Sequence, residues 1–460
     1  MASIASYFEL KKRGTTVGTE VRAGITTFLV MGYIVFVNPL YVSSANGALT
    51  GSGAPGAVAV AACTALAAGI LTIAMGMIAN YPFALAAGMG LNAVVAFDLI
   101  AGKGLSWEEA MAVIVWEGVI ITILVLTGFR KAILEAIPLS LKRAIAVGIG
   151  LFLLMIGLFE GGIIVKSPAP TVPLTLGFGT TPMATLAVFG TGLLIALVLI
   201  GRKKGPLPGA LLIAISAATL VALAVGVTSI PATLVSPLDA NNFAGIGAAL
   251  GSLTSVWSNG VGVVSVALAV FTIMLSDFFD TAGTIVGLGE RGGMLDKKGQ
   301  LPGSDKVLLV DSIAAGVGGL FGVSSNTTYI ESAAGIEEGG RTGLTSVVTG
   351  LLFLAALIVA PIAGIIPAAA TAPALVVVGY LMFQSIRDVK WSDTSEGFPI
   401  LATLIIMPLA YSITDGIGAG FITYGLLKAA KGEAGEVKPL LWVAIAAYVV
   451  YFALKLGLIG

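Results

Sequence analysis

Three carboxylates stand inside apolar sequence. Asp277 and Asp280 lie in Leu275-Ser276-Asp277-Phe278-Phe279-Asp280-Thr281, and Glu331 lies in Thr327-Thr328-Tyr329-Ile330-Glu331-Ser332-Ala333-Ala334-Gly335. Neither stretch contains Lys, Arg or His, so no local ion pair accounts for them. Placing a charge at bilayer depth costs roughly 2.5 kcal/mol or more, and side chains that carry one face a cavity, a partner or a permeating solute. A carboxyl in that position carries a proton, binds a cation, or accepts hydrogen bonds from a solute or from backbone. Positions 277 and 280 are three apart and share a helix face. The competing structural reading, in which a carboxylate only caps or braces a broken helix, applies more to Asp277 than to Asp280 or Glu331.

The composition defines the medium around these acids. The 460 residues include 24 Lys+Arg, 24 Asp+Glu and no histidine, with 57% apolar residues, 10% charged residues and a mean hydropathy of +1.03. An ordinary soluble domain carries about 25% charged residues. So few charges cannot cover a water-exposed surface, which excludes a soluble enzyme or a disordered chain, and the zero net charge offers no basic surface to nucleic acid. Without histidine, proton chemistry near neutral pH falls to carboxylates. The single Cys63 forms no internal disulfide and reads as packing. Walker and dinucleotide patterns are absent, so no nucleotide cofactor, metal or ATP-driven step is expected. The chain reads as an all-α polytopic membrane protein.

Apolar runs of about 20 residues mark the spans. They fall near 23–43, 56–79, 80–101, 107–128, 142–162, 180–201 and 206–228, and again near 260–289, 307–323, 324–340, 342–363, 368–388, 397–431 and 437–458. That is seven plus seven. The first residues are polar and amphipathic, without a cleavable leader. With the N-terminus cytoplasmic, the basic residues from Lys11 to Lys390 fall inside, leaving Lys103 and Lys166 outside. Lys428, Lys431, Lys438 and Lys455 depend on whether 397–431 is one span or a hairpin turning near Asp415-Gly416.

The two sets resemble one another. Leu85-Ala86-Ala87-Gly88-Met89 matches Ser332-Ala333-Ala334-Gly335-Ile336 at an offset of 247, and Gly190-Thr191-Gly192 before Arg202-Lys203-Lys204 resembles Gly418-Ala419-Gly420 before Lys428 and Lys431. Repeats with an odd number of spans insert with opposite topology, the plan of many secondary transporters. The third and tenth spans are broken. Asn80-Tyr81-Pro82 interrupts one, and the β-branched, hydroxyl-rich Val323–Ile330 of the other reads as a short strand. Extended backbone at mid-membrane needs partners. The two segments can pair with each other across the repeat axis, and the half-helices that follow then aim their N-termini at one shared site for a small polar or anionic solute. Asn92, in the first turns of the third-span half-helix, either contacts solute or caps backbone. Phe83, Tyr33, Phe278, Phe279 and Tyr329 are candidates to stack on a flat ring, against a plain reading as core. Glu117, Glu160 and Asp311 read as structural or interfacial, with Asp311 near the cytoplasmic end of its span, and Glu337-Glu338 as cytoplasmic.

Four segments carry a family resemblance. Thr26-Thr27-Phe28-Leu29-Val30-Met31-Gly32-Tyr33-Ile34 with Asn38-Pro39, Gly88-Met89-Gly90-Leu91-Asn92-Ala93, Asp277-Phe278-Phe279-Asp280-Thr281 and the Thr327–Gly335 stretch resemble the nucleobase–cation symporter family, in its AzgA-like branch of adenine, guanine and hypoxanthine permeases. The resemblance covers essentially the whole chain. It implies a uracil-permease-like fold of about fourteen segments in inverted sevens, with short β-strands in broken spans 3 and 10. It further implies a substrate-carrying core (1–128 and 260–363), an extracellular loop (229–259) and a gate (129–228 and 364–460) through which a homodimer forms. The implied activity is proton-driven symport of purine nucleobases across the cell membrane, with no enzymatic step. Carried over by position, the substrate-contact carboxylates are Asp280 and Glu331, with Asp277 and Asn92 as supporting polar positions. Phe83, Phe279, Thr328 and Ser332 complete the candidate substrate-binding set, and Asp277, Asp280 and Glu331 are the proton-coupling candidates. Val94 and Val95 replace the aromatics common after Gly90-Leu91-Asn92-Ala93, Asn326 stands where a small or apolar residue is usual, and Glu337-Glu338 adds two acids. These departures bear on which purine is preferred. A same-fold anion carrier, a sodium-coupled nucleobase carrier, a channel and an intramembrane enzyme are the competing readings. The three acids argue against the first, and the lack of a nucleophile–base pair against the last.

Overall fold

The computed structural model describes residues 4–128, 137–167, 174–203, 205, 207–230, 239–296, 301–383, 386, 391–456 and 458. Arg130, Lys131, Lys204, Lys297, Lys298, Arg387 and Lys390 of the expected cytoplasmic set lie outside them. Among the described residues apolar helices dominate, and six are long and apolar enough to cross a bilayer. The first set comprises α1 (Val17–Met31), α2 (Ile34–Val42), α3 (Ala57–Ala74), β1 (Leu85–Ala87), α4 (Met89–Ala93), α5 (Trp107–Leu126), α6 (Leu139–Glu160), α7 (Met183–Ile200) and α8 (Ala210–Ala224), with a strand pair β2 (Ile164–Lys166) and β3 (Leu174–Leu176) between α6 and α7. The second comprises α9 (Val263–Arg291), α10 (Ser304–Leu320), β4 (Asn326–Thr328), α11 (Ser332–Glu337), α12 (Gly343–Ala355), α13 (Ala368–Phe383), α14 (Thr394–Leu409), α15 (Ile413–Ala430) and α16 (Pro439–Lys455).

Local chemistry starts these helices where the spans were expected. The Thr16 side chain accepts the Thr19 N–H at 3.2 Å to begin α1, and Ser106 with Glu109 forms a reciprocal capping box on α5. At Asn80 the backbone turns left-handed (φ 54°), ending the wide helical turns after α3 and admitting the extended segment. β1 and β4 then pair antiparallel, Leu85 opposite Thr328, Ala86 opposite Thr327 and Ala87 opposite Asn326. This satisfies the extended backbone inside an apolar interior, as the broken spans require. It also corrects the internal match at offset 247. Leu85-Ala86-Ala87 is strand, whereas Ser332-Ala333-Ala334 is already helix. The structural counterpart of 85–87 is 326–328, because Gly88 is the cap of its half-helix while Gly335 lies inside one.

Helices pack in two groups. α1, α3 and α12 lie together, as do α5 and α10, while α6 packs along α13 and the hairpins α7–α8 and α14–α15 flank that pair. At the α5–α10 crossing, a Cβ on Gly118 would strike the backbone of Gly316, so only glycine permits this approach. The 397–431 stretch resolves as two helices that pack on each other, turning at Ala410–Ser412, three residues before the turn expected at Asp415-Gly416. Lys431 at the end of α15 reaches Asp393 at the start of α14 (2.6 Å), which places both hairpin ends on one face. The Lys431 ammonium, with the Ser395 hydroxyl, holds the Asp393 carboxyl well below the usual carboxylate range. The contribution of this exposed pair is therefore present above that range and lost only as pH falls below it, through the depressed value of the folded protein. Arg22 pairs with Glu338 (3.0 Å) and Arg291 with Glu337 (2.9 Å), which gives both acids of that turn a basic partner.

One buried acid holds the first helix to the second set. Glu20 is fully buried and accepts from Arg341 N, both polar groups of Thr342 and both of Thr345, at 2.6–3.2 Å. It thereby caps α12 from another element. Glu20→Ala leaves these donors unpaired and is expected to lower stability by about 3 kcal/mol, read as an earlier thermal transition of the purified protein in detergent.

Candidate functional site

The strand pair organises the centre of the molecule. Gly88 N donates to Ser325 O (2.9 Å), Tyr329 N to Ala84 O (2.9 Å), and Ala84 N to the Ser332 hydroxyl (3.0 Å). The Tyr329 hydroxyl donates to the Ala87 carbonyl. Each half-helix therefore begins from a strand end that the other half-helix's own strand holds in place. Gly88 and Gly90 allow close packing here: a Cβ on Gly90 would come within 2.6 Å of Ile149 on α6, and one on Gly88 within 3.0 Å of Thr327.

A cavity of about 90 Å³ lies where the two half-helices start. Gly88–Leu91 and Thr327–Glu331 form two walls, Ser276, Asp280 and Thr284 of α9 a third, and Ile149, Leu153, Val378 and Met382 of α6 and α13 the apolar side. Asp280 and Glu331 both line it, and among the described residues no Lys or Arg does. The Tyr33 hydroxyl, at the break between α1 and α2, donates to Glu331 Oε1 at 2.9 Å and fixes that carboxyl. First-turn N–H groups of a helix lack intrahelical acceptors, so this cavity offers N–H donors from α4 and carboxylate acceptors across from them. It suits a small solute with donors on one edge and acceptors on another.

The remaining sequence candidates are distributed around this cavity. Thr328 lines it, with its N–H and hydroxyl both given to Asp311 Oδ1 (2.8 and 2.6 Å). Ser332 is buried and spent on Ala84 N. Asn92 is fully buried one turn behind the lining, its side-chain amide without a hydrogen-bond partner. Phe83 does not line the cavity; it is buried and stacks on Tyr81, ring centroids 5.3 Å apart. The side chain of Phe279 lies outside the described residues. Asp277 does not line the cavity and is fully buried.

Behind β4 the structure assembles acids that sequence reading kept apart. Asp311 accepts from Thr328 and also from the Thr281 hydroxyl (2.7 Å), and Thr281 meets Thr327 (2.7 Å). Asp311 is thus 1% exposed in mid-helix beside the strand, correcting its expected place at the cytoplasmic end of its span. Glu117 accepts the Ser325 hydroxyl at 3.2 Å. Neither residue has a motif of its own. The signal available was that hydroxyl-rich β4 must spend its donors on something. Tyr33 in this role was likewise hidden, since an aromatic at a helix break reads as packing.

The model of a permease family matches residues 18–419. The chain belongs to that family. It is 36% identical to the guanine/hypoxanthine permease PbuG of Bacillus subtilis, over 97% of this chain and 99% of that one, and 37% identical to the adenine permease AdeP of Escherichia coli, over 94% and 92%. The resemblance to nucleobase permeases read from its motifs is therefore upheld, and the protein is a multi-pass membrane permease. Among solved structures, the transmembrane domain of the cyanobacterial bicarbonate transporter BicA matches with a TM-score of 0.62 at 15% identity, over 86% of this chain and 97% of that one. The murine anion transporter Solute Carrier 26 family member A9 matches at 0.61 and 13%, over 90% and 68%. These place the permease in the uracil-permease-like fold. Tyr33→Phe removes one charge-assisted bond to Glu331 and is expected to raise the apparent KM for transport by roughly tenfold, about 1.4 kcal/mol, with expression and maximal rate little changed, as measured by initial uptake rates.

Proposed function

We propose that this permease imports purine nucleobases by proton symport. The observation that carries the reading is the convergence of Asp280 and Glu331 on one small cavity at the start of both half-helices, in a chain whose relatives include guanine/hypoxanthine and adenine permeases. Glu331, steadied by Tyr33, accepts the N–H edge of the base through charge-assisted bonds. The first-turn N–H groups of α4 meet carbonyl and ring-nitrogen acceptors. Tyr33 and Tyr329 supply aromatic walls, with Asn92 close behind as a supporting polar group. Asp280 takes the coupling proton, and Asp277, joined to Asp280 through one turn of α9, assists.

We read the transport cycle as alternating access, a reading that the two packing groups support. Helices α1–α5 and α9–α12 form a substrate-carrying core that moves against a gate of α6–α8 and α13–α16, and the gate is also the dimerisation surface. The N-terminus and the ion pairs of Arg22 and Arg291 are cytoplasmic, in line with the charge bias of the loops. An anion carrier of this fold would need a positive site, and the cavity presents two carboxylates without a basic residue.

Uptake of labelled hypoxanthine, guanine, adenine and uracil into bacteria lacking their own purine uptake tests the substrate. Saturable purine accumulation is expected, abolished by a protonophore, unaffected by sodium removal and lost in Glu331→Gln. Absence of uptake of every base by well-expressed protein overturns the assignment. Asp280→Asn is expected to abolish accumulation while preloaded vesicles still exchange labelled for unlabelled base; undiminished accumulation refutes its coupling role.

A further inference from the structure

A second carboxylate site ties the substrate half-helix to the gate. Beyond α4 the chain continues as wide helical turns over Val94–Gly102, and Asp98 lies on them, 5% exposed. Its Oδ1 accepts Lys103 Nζ (2.7 Å) and the Ser412 hydroxyl (3.1 Å), and its Oδ2 accepts the Thr414 hydroxyl (2.6 Å). Ser412 and Thr414 flank the start of α15, at the α14–α15 turn, where Ser412 also caps that helix through Asp415 N (3.2 Å). Asp415 in turn accepts the Tyr451 hydroxyl (3.1 Å) and Lys455 Nζ (2.5 Å) from α16. Both ammonium groups sit 5.8 Å from the centre of the Tyr451 ring. Two acids, two lysines and three hydroxyls thus form one network whose halves belong to different packing groups.

Its position gives it a task. A cavity of about 780 Å³ opens beside Asp98, Lys103, Tyr411 and Lys455. Among the described residues none lines both this cavity and the one at Glu331. Between them stand the buried Asn92–Ala96 turns and an aromatic plug, in which Phe97 packs on Tyr411 (5.2 Å) and Tyr411 on Phe152 (5.3 Å). Tyr411 holds a left-handed backbone (φ 53°) at the hairpin turn, a conformation a tyrosine adopts only when its surroundings hold it there.

We propose that Asp98 is a gating residue: bound to Ser412, Thr414 and Lys103, it clamps the 89–102 segment to the α14–α15 turn and closes the permeation route on the Lys103 side. That side is extracellular in the proposed topology. Opening the route parts the Asp98 carboxylate from the two hydroxyls and withdraws Phe97 from Tyr411. Lys103 travels with Asp98, since both belong to the same segment, so the carboxylate keeps its ion pair in the open state. The clamp therefore sets the balance between closed and open forms without leaving a bare charge. This rests on the alternating-access reading above, and not on the purine assignment.

The test uses a reporter cysteine at Ala93, fully buried between the two cavities, with native Cys63 replaced by alanine. Its rate of modification by a membrane-impermeant methanethiosulfonate reagent in whole cells reads exposure to the Lys103 side and needs no substrate, so failed purine uptake does not obscure it. Asp98→Asn and the milder Thr414→Val are each expected to speed labelling at least fivefold. Thr423→Val, in the same hairpin but bonded only along its own helix, is expected to leave the rate unchanged. Labelling within twofold of the parent in both clamp variants overturns the proposal, as does equal acceleration by Thr423→Val, which would mark general loosening of the hairpin.

Discussion

The antiparallel contact between Leu85–Ala87 and Asn326–Thr328 is the constraint on which the rest of the molecule depends. Six residues of extended backbone lie in an interior without water, and every N–H and C=O left open there costs free energy. Pairing the two segments removes that cost and simultaneously sets where each following half-helix begins. The cavity and the placement of the acids around it follow from this one contact. It also makes the third and tenth spans a single unit, because neither extended segment has a satisfied backbone without the other.

Hydrogen-bond satisfaction sorts the buried acids into roles. Glu20 and Asp311 have their oxygens occupied by backbone and hydroxyl donors, and each fixes one element to another: Glu20 holds α1 to α12, and Asp311 holds α10 to β4. Asp98 is similarly occupied, but its partners come from a separately packed hairpin. Asp280 and Glu331 instead face the cavity at the half-helix starts, where the Tyr33 hydroxyl steadies Glu331. A saturated carboxylate makes a joint, whereas one turned to open space is available to a solute or a proton. The fold is shared with bicarbonate and anion transporters. The chemistry is not inherited with it, since function resides in the side chains at the site.

The sequence by itself determined the class of protein, the approximate spans, the two broken segments and the unusual carboxylates. Each is a local signal: twenty apolar residues, a β-branched run between helices, and a charge where charge is expensive. Even the strand pairing was legible, because unsatisfied backbone at mid-membrane leaves few alternatives. The tertiary structure decided which carboxylates share a space. Asp277 and Asp280 are three residues apart, yet Asp280 lines the cavity and the fully buried Asp277 does not, while Asp311, read as structural or interfacial, is pinned to Thr328 from another helix. It also replaced the 247-residue match by the 85–87 and 326–328 correspondence and resolved 397–431 as a hairpin through Lys431 and Asp393. Contacts such as Tyr33 with Glu331 span 298 positions. Spacing along a chain carries no information about such pairs, because they depend on how packed helices rotate about their axes and how closely they approach, which is settled by every neighbour at once.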